Sequence, residues 1–371
     1  MMTARPYLLV SVIVLVAGAI YFINSKGVTR SQLNEVVTVQ PRQPATSTSS
    51  TLISTPEKSE TPKAKPFELA KEISTPDGFI NTAGQPITIG ELVGKKVVLV
   101  DFWTYSCINC QRTTPYLNAW YEKYREQGLE IIGLHTPEFE FEKKYDNVKA
   151  AVEKFGIKFP VVLDNDYSTW TAYRNRYWPR KYLIDIDGYI VYDHIGEGGY
   201  EETERKIQAA LKERMVVLGE SGAVSQTVTG EIAPRVHPAS PETYFGAARN
   251  QLFANGKIGV AGEQVGLTPP AEPIPNKLYL GGDWQISREF AENRSANARI
   301  VYRYTAKDVF LVAEAEGETE VEIIRDGQPM TELKVKDAGL YELIQDQSSG
   351  THTLEIIIRQ PGLRAFTFTF G

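Results

Sequence analysis

Two different periods of hydrophobic and polar positions follow one another along most of the chain. Between residues 67 and 218, short apolar runs alternate with stretches whose apolar residues recur every three or four positions, which predicts strands interleaved with helices. The run at residues 97–100 is wholly apolar, as is typical of a strand buried on both faces of a sheet. Further strands are predicted at 129–134, 159–163, 182–186 and 189–195, the last two forming a hairpin at Asp187-Gly188, and helices from the cysteines to Tyr124, around 148–155 and over 200–218.

The helical period disappears after residue 219. Residues 219–241 are rich in Gly, Ser, Thr and Pro and predict a connector. From residue 242 to residue 371, short runs bounded by turn residues predict a β-sandwich of the jelly-roll kind. Its strands are expected at 300–304, 309–315, 320–324, 353–358 and 365–370, with a hairpin turn at Asp326-Gly327.

The N-terminal part has a different composition from the rest. Residues 7–23 are apolar and uncharged, which predicts that residues 1–23 are a membrane anchor or a signal segment. Residues 24–66 contain no Trp, Tyr or Phe and predict a disordered Ser/Thr/Pro-rich linker. We therefore expect a single-pass membrane protein whose folded domains lie on the extracytoplasmic side; cleavage of the segment would instead give a secreted or periplasmic protein.

Composition and charge exclude several classes of protein. The chain has 371 residues, of which 42% are hydrophobic and 23% charged, as in globular domains. A formal net charge of −6 argues against a nucleic-acid-binding role. The chain has only two cysteines, which excludes a disulfide-stapled scaffold and a zinc site made of cysteines alone.

The two cysteines form a Cys107-Ile108-Asn109-Cys110 motif where a buried strand gives way to a helix. The first sulfur should lie at the helix N-terminus, where unpaired N–H groups and the helix dipole stabilise a thiolate. The second should lie one turn later, close enough to close a disulfide. A nucleophilic thiol and a resolving thiol are what thiol–disulfide exchange requires. A structural disulfide and a metal site completed by a histidine remain as alternatives, whereas Gln111 excludes haem attachment.

The segment around the motif resembles thioredoxin, and more specifically the extracytoplasmic DipZ-type redoxins, relatives of the TlpA and ResA thiol reductases. The resemblance is carried by VVLVDFWTYSCINCQRTTPYL, by HTPEF at 135–139 and by GEGGY at 196–200. GFINTAGQPITI at 78–89 resembles the N-terminal hairpin insertion of that family. YLGGDWQIS and the final PGLRAFTFTFG resemble its second domain, a β-sandwich similar to a carbohydrate-binding module. The resemblance implies a thioredoxin-like fold over residues 67–218.

The resemblance also implies catalytic roles for three residues. Cys107 would attack the substrate disulfide, Cys110 would resolve the mixed disulfide, and the redox-active disulfide would join these two residues. Asp101 would be a buried acid that exchanges a proton with Cys110. An aspartate at the end of an apolar strand should have a raised pKa, which agrees with this role.

Other residues are expected around the thiols. Trp103, Trp178 and Pro179 would bind substrate, and the resemblance implies a cis Trp178-Pro179 peptide bond. His135 should emerge near the cysteines, where His135 and Glu138 are candidates for tuning the thiols; a solvated or hydrogen-bonded loop position is the ordinary alternative for both. No bound cofactor and no resident metal are expected.

Two features depart from the relatives. The predicted strand at 129–134 lacks the lysine that partners the buried acid of thioredoxin, and the multi-span electron carrier often fused to DipZ domains is absent from this sequence. We therefore expect electrons from a separate membrane thiol relay of the CcdA or DsbD type.

The predicted function is reduction of disulfides in exported proteins, with cytochrome c biogenesis as one candidate process. The alternatives are a dithiol oxidase or isomerase of the same fold, and a glycan- or partner-binding protein whose cysteines carry copper. Four aromatic residues of the second domain could form a sugar-stacking platform, although aromatic residues at this spacing more often fill a core: Tyr279, Trp284, Tyr302 and Tyr304.

Overall fold

The computed structural model describes residue 63, residues 66–230 and residues 239–371. The predicted membrane segment and most of the predicted linker lie outside these residues. Within the described part of the chain, no helix is both long and apolar enough to span a bilayer. The described residues form one compact unit, which contains an α/β region followed by an all-β region.

The α/β region is built on a mixed sheet of seven strands in the order β1-β7-β6-β3-β4-β5-β2. Strands β3, β4 and β5 run parallel, and β6 and β7 join β3 as an antiparallel hairpin. The strands are β1 (Glu68–Leu69), β2 (Gly78–Ile80), β3 (Val97–Trp103), β4 (Leu129–His135), β5 (Val161–Leu163), β6 (Arg180–Ile184) and β7 (Tyr189–Ile195). The helices are α1 (Ile89–Leu92), α2 (Ile108–Tyr124), α3 (Tyr145–Lys154), α4 (Ser168–Ala172) and α5 (Tyr200–Leu218).

The periodic segments of this region adopt the predicted structure. All seven residues of β3 are buried, because the strand lies in the middle of the sheet with helices on both faces. After α2 and a short 3-10 helix (Arg125–Gln127), Gly128 takes a left-handed conformation at φ 100° and ends the helical segment. The β6–β7 hairpin turns at Gly188, whose φ is 89°. This arrangement is the thioredoxin-like fold that the resemblance implied.

One predicted feature of the region is wrong. Residues 78–89 do not form a hairpin: β2 pairs with β5 at one edge of the sheet, while β1 pairs with β7 at the opposite edge. The polar residues that follow β2 form turns up to Thr88, which caps α1 by accepting a hydrogen bond from the backbone N–H of Glu91 at 3.2 Å. The apolar residues of this segment therefore lie in an edge strand of the sheet and at the start of a helix.

The all-β region consists of nine strands. The hydrogen-bonded path β12-β10-β11-β16 returns to β12, so that part of the sheet closes into a barrel. Strands β14, β13 and β15 continue the sheet on the far side of β12. The strands are β8 (Thr243–Tyr244), β9 (Gly262–Leu267), β10 (Leu278–Ile286), β11 (Ala291–Asn293), β12 (Ala298–Ala315), β13 (Thr319–Arg325), β14 (Gln328–Val335), β15 (Gly339–Ile358) and β16 (Leu363–Phe370).

Two predicted strand boundaries of this region are corrected. The predicted strands at 300–304 and 309–315 are one continuous strand, β12, because the polar residues between them form a bulge rather than a turn. The predicted strand at 353–358 is only the end of β15, which pairs with β12 along nearly its whole length. The Asp326-Gly327 turn does join β13 to β14, as predicted.

The aromatic residues considered for sugar stacking belong to the core of the all-β region. Tyr279 is 5% exposed, Tyr304 is 1% exposed, and Trp284 and Tyr302 are inaccessible to solvent. These rings therefore offer no face to a ligand. The core interpretation of the spacing is correct, and the platform is not present.

Phe366 joins the two regions. Its ring lies 5.0 Å from that of Phe139 and 4.8 Å from that of Phe141, both in the loop after β4. Phe366 on β16 is 2% exposed and belongs to the hydrophobic core of the α/β region. The all-β region is therefore packed against the loop that borders the cysteine motif.

Candidate active site

The dithiol lies between the end of β3 and the start of α2. Cys107 occupies the N-cap position of α2, and Cys110 lies in its first turn. Cys107 is half-buried, Cys110 is 2% exposed, and both are free thiols in hydrogen-bonding contact. Burial, and then the neighbouring Cys107, raise the pKa of Cys110 well above its usual range. The accessible thiol is suited to attack a substrate, and the buried thiol needs help to lose its proton.

The Trp178-Pro179 loop lies against the accessible thiol. Its peptide bond is cis, as the resemblance implied. The Sγ of Cys107 lies 4.0 Å from the carbonyl oxygen of Trp178. The indole N–H of Trp178 donates to the carbonyl of Thr136 at 2.9 Å, and the carbonyl of Pro179 accepts from the N–H of Gly196 at 2.8 Å. These bonds fix the loop beside Cys107, where a substrate segment would have to pass.

Asp101 is the buried acid of the site. Its side chain comes from the middle of the apolar strand β3, and the residue is 2% exposed. In the described part of the chain, its Oδ1 atom has no hydrogen-bond partner. Burial raises the pKa of Asp101 to about 7, against the opposing effect of the Lys181 ammonium. The charge of Asp101 also contributes to the raised pKa of the buried thiol of Cys110.

Lys181 is a site residue that the sequence analysis missed. It lies on β6 directly opposite Asp101 on β3, and its side chain is inaccessible to solvent. Its Nζ donates to the carbonyl of Gly196 at 3.2 Å. Burial lowers the pKa of Lys181, while Asp101 opposes the lowering. A buried lysine therefore lies opposite the acid. It comes from β6, and not from β4, the strand in which the sequence analysis found the lysine of thioredoxin to be missing. The available signal was a lysine two residues after the predicted cis-proline.

Glu142 is a second missed residue, and it holds the loop before the motif. Its Oε1 accepts from the hydroxyl of Ser106 at 2.6 Å and from the N–H of Ser106 at 3.3 Å. Its Oε2 accepts from the N–H groups of Glu138 and Phe139, at 2.5 and 3.0 Å. Burial raises the pKa of Glu142 to about 7, although these donors favour the ionised form. Glu142 therefore ties the loop after β4 to the residue before Cys107.

Replacing Glu142 with alanine should lower the free energy of unfolding by about 2 kcal/mol, because three backbone N–H groups would lose their acceptor. Urea unfolding followed by tryptophan fluorescence measures the change. Glu140→Ala is the matched control, since Glu140 lies in the same 3-10 helix with an exposed side chain, and its loss should cost less than about 1 kcal/mol. Equal effects of the two substitutions would contradict the role assigned to Glu142.

His135 and Trp103 do not reach the surface of the site. His135 is inaccessible to solvent, and its ring packs edge-on to Trp103 and stacks on Tyr105. Burial lowers the pKa of His135 to about 3, so the ring is neutral at physiological pH. Trp103 is 3% exposed. The expectations that His135 emerges beside the thiols and that Trp103 touches substrate are therefore wrong, because both side chains are packed in the core.

Glu138 lies at the junction of the two regions. Its Oε1 accepts from Arg249 at 2.6 Å and lies 2.9 Å from the hydroxyl of Tyr244. Glu138 lines a cleft of about 610 Å³ that also contains Cys107 and Trp178. The other wall of the cleft comes from the all-β region, which contributes Glu242, Tyr244, Arg249 and Thr369. The cleft of the accessible thiol is thus built from both regions.

The cysteines and His135 do not form a metal-binding cluster in the described part of the chain. The described carboxylates that do cluster are Asp185, Asp187 and Glu213, and the Lys63 ammonium forms ion pairs with all three. Their negative charge is thus balanced by a side chain of the protein.

A thioredoxin fold with a Cys-x-x-Cys pair at a helix N-terminus, a buried acid beneath it and a cis-proline loop against it defines a thioredoxin-like redox protein. Residues 60–211 match the Redoxin family, and residues 240–371 match a family described as a thioredoxin-like C-terminal domain. Protein DipZ of Mycobacterium tuberculosis is 39% identical over 297 residues, which are 79% of this chain and 41% of DipZ.

Two further proteins are similar to part of this chain. Thiol-disulfide oxidoreductase ResA of Bacillus thuringiensis is 36% identical over 129 residues, which are 35% of this chain and 69% of ResA. A thioredoxin-like protein whose structure was solved in the oxidised form is 26% identical in sequence, with a TM-score of 0.37. The match covers 40% of this chain and 98% of that protein. The chain belongs to the thioredoxin-like redoxin family and is of the DipZ type. It spans about 41% of the length of the DipZ proteins that it matches.

Proposed function

We propose that this protein is a thiol–disulfide oxidoreductase that reduces disulfides in exported proteins. The observation that carries the proposal is the arrangement of its two thiols: Cys107 faces a cleft, and Cys110 is buried against it above the Asp101–Lys181 pair. An exposed nucleophile with a shielded resolving thiol is the arrangement that two-step thiol–disulfide exchange requires. The similarity to ResA and DipZ supports the same activity.

The reaction moves two electrons from the protein dithiol to the substrate. The Cys107 thiolate attacks one sulfur of the substrate disulfide; a new S–S bond forms, the substrate S–S bond breaks, and the leaving sulfur takes up a proton. Cys110 then gives its proton to Asp101 and attacks the Cys107 sulfur. This second step forms the Cys107–Cys110 disulfide and releases the other substrate thiol, so that the protein is oxidised and the substrate is reduced.

The proposal includes a location and an electron donor. We propose that the apolar segment at residues 7–23 anchors the protein with its folded unit on the extracytoplasmic side. A membrane thiol relay of the CcdA or DsbD type would then return two electrons to the oxidised dithiol. Cytochrome c biogenesis is one process that needs such a reductant. A glycan ligand of the all-β region remains a prediction, although the four aromatic rings that suggested it are buried.

The reduction potential of the Cys107–Cys110 pair tests the direction of the reaction. The full chain is equilibrated with dithiothreitol or glutathione buffers, and its redox state is read from tryptophan fluorescence and checked by thiol alkylation. We expect a potential near or below roughly −250 mV, as for a reductant. A potential of about −120 to −180 mV would instead identify a dithiol oxidase or isomerase, and the proposed reductase function would be wrong.

A further inference from the structure

The cleft of Cys107 contains a carboxyl group that forms no ion pair with another described residue. Glu242, from the loop before β8, lines this cleft together with Cys107, Trp178 and Arg176. Its surface remains accessible to solvent, although protein atoms surround the carboxyl group on most sides. In the described part of the chain, no lysine or arginine forms an ion pair with Glu242, whereas Arg249 is paired with Glu138 at 2.6 Å.

The contacts of Tyr244 indicate the protonation state of Glu242. The Tyr244 hydroxyl lies 2.9 Å from Oε1 of Glu138 and 2.7 Å from Oε2 of Glu242. A phenol has one proton and can donate it to only one of two carboxylates. Burial and the two carboxylates raise the pKa of Tyr244, so the phenol keeps that proton. One of the two glutamates must therefore be protonated for both contacts to be hydrogen bonds.

The carboxyl group of Glu242 is not part of the ion pair between Arg249 and Glu138. Arg249 pairs with Glu138, and the Tyr244 hydroxyl lies within hydrogen-bonding distance of both glutamates. Loss of hydration and the charge of Glu138 raise the pKa of Glu242. The hydroxyl of Thr369 also contacts Glu242, at 3.4 Å. With its pKa raised to about 7, Glu242 is readily protonated near neutral pH, and among the described residues it has no ion-pair partner.

We propose that Glu242 is a specificity residue of the reductase, which recognises a lysine or arginine side chain next to the disulfide of a polypeptide substrate. A basic side chain in the cleft would displace the proton of Glu242 and supply the cation that this carboxyl group lacks. Glu197, which lies in the same cleft, pairs with Arg112 at 3.7 Å, and Arg176 is a further cation of the lining. The inference rests on the proposed function, because it concerns the substrate of the same dithiol.

This proposal gives the all-β region a role in binding the substrate. Glu242, in the loop before β8, and Tyr244, in β8 itself, line the cleft together with Trp178, so that a substrate in the cleft would contact both regions. A cleft of about 610 Å³ accommodates an extended segment of a few residues better than the surface of a folded domain. The substrate class is therefore an extended or loop-borne disulfide with a basic neighbour.

Kinetics with matched peptides test the proposal. Three disulfide-linked peptides that differ only in having Lys, Gln or Glu next to the cysteine are reduced by the full chain, and kcat/KM is measured for each. We expect the Lys peptide to be favoured over the Glu peptide by about tenfold, the effect of one partly buried ion pair. Glu242→Gln should remove most of this preference, and Glu242→Lys should reverse it.

Glu320→Gln is the matched control, since Glu320 is an exposed glutamate of the all-β region that does not line the cleft. It should leave the preference unchanged. Equal kcat/KM values for the three wild-type peptides, or a preference that persists in both Glu242 variants, would overturn the inference. Failure of the wild-type protein to reduce any peptide faster than Cys107→Ser would instead overturn the proposed function.

The pH dependence of the preference gives a second readout. Because burial and the charge of Glu138 raise the pKa of Glu242 to about 7, against the opposing effects of Tyr244, Arg249 and Thr369, the carboxyl group becomes ionised only as the pH rises through the neutral range. The ratio of kcat/KM for the Lys peptide to that for the Gln peptide should therefore increase as the pH is raised from about 6 to about 8. Ionisation of the thiols affects both peptides equally and cancels in this ratio. A ratio that stays constant with pH would contradict the role of Glu242.

Discussion

Replacing Cys107 with serine is expected to slow peptide disulfide reduction by about three orders of magnitude or more, since a hydroxyl group does not replace a thiolate as the attacking nucleophile. Cys107 lines the cleft, whereas Cys110, the other cysteine of the chain, is 2% exposed, so no other thiol can take the place of Cys107. The measurement is the rate of reduction of a fluorescent disulfide peptide under dithiothreitol turnover. A rate for Cys107→Ser within tenfold of the wild-type rate (about 1.4 kcal/mol) would contradict the assignment.

Cys110→Ser is the informative counterpart of this variant. In Cys110→Ser, Cys107 can still attack the substrate disulfide, but the resolving thiol is missing. The protein should therefore accumulate a mixed disulfide with the substrate. Non-reducing electrophoresis and mass spectrometry detect the adduct. Cys107→Ser should form none, because Cys110 is only 2% exposed and cannot be reached by a polypeptide. An adduct on Cys110 would mean that the roles of the two thiols are reversed.

The second large effect is expected for Asp101→Asn, which should slow the resolving step by about a hundredfold near pH 7.5, the usual range for loss of a general base. Because burial raises the pKa of Asp101 to about 7, the wild-type rate should rise with pH up to about 7 and then level off. Asparagine cannot accept the proton. The variant's rate should keep rising toward the pKa of Cys110, which is raised well above its usual range.

The rate of the resolving step is measured at a series of pH values from about 5.5 to about 9.5. At each time point the reaction is quenched with acid and the thiols are alkylated, so that the remaining mixed disulfide can be quantified. The deficit of Asp101→Asn should be largest between the pKa of Asp101 and that of Cys110, and should shrink at the alkaline end. Parallel pH profiles for the wild type and the variant would contradict proton transfer to Asp101. Urea unfolding of both proteins checks that the difference in rate does not arise from unfolding.

Lys181→Met supplies an independent test of the same pair. Methionine keeps the length of the side chain and removes the buried ammonium that opposes the rise of the Asp101 pKa. The rise of the resolving rate with pH should therefore move upward by about one pH unit, the lower end of the effect of a neighbouring opposite charge. An unchanged profile would show that Lys181 has only a structural role at the β3–β6 pair.

Local sequence information was sufficient for the dithiol and for most elements around it. The wholly apolar run at residues 97–100 determined a central strand, and the spacing of Cys107 and Cys110 determined that both thiols share one turn of helix. The alternation at residues 182–195 and the Gly188 turn determined the β6–β7 hairpin. Each of these features depends on residues close together in the chain, which is why periodicity and turn chemistry reveal them.

The predictions that the structure contradicts concern segments whose sequence is compatible with more than one structure. The polar residues inside β12 are equally compatible with a turn and with a bulge, and pairing with β15 decides in favour of a bulge. Residues 78–80 could pair with the segment that follows them, but the free edge of β5 takes them instead. His135 and Trp103 have sequence positions typical of a site, and the loop packed over them makes them part of the core.

By itself, the sequence determined that the protein has a redox-active pair of thiols on a thioredoxin-like sheet, followed by an all-β region. Only the tertiary structure decided what surrounds that pair. Lys181 is placed opposite Asp101 by strand register, Glu142 reaches back to Ser106, and Glu242 enters the cleft from the other region. These contacts join residues that are far apart in the chain, and their energies come from burial and charge pairing, which exist only once the chain has folded.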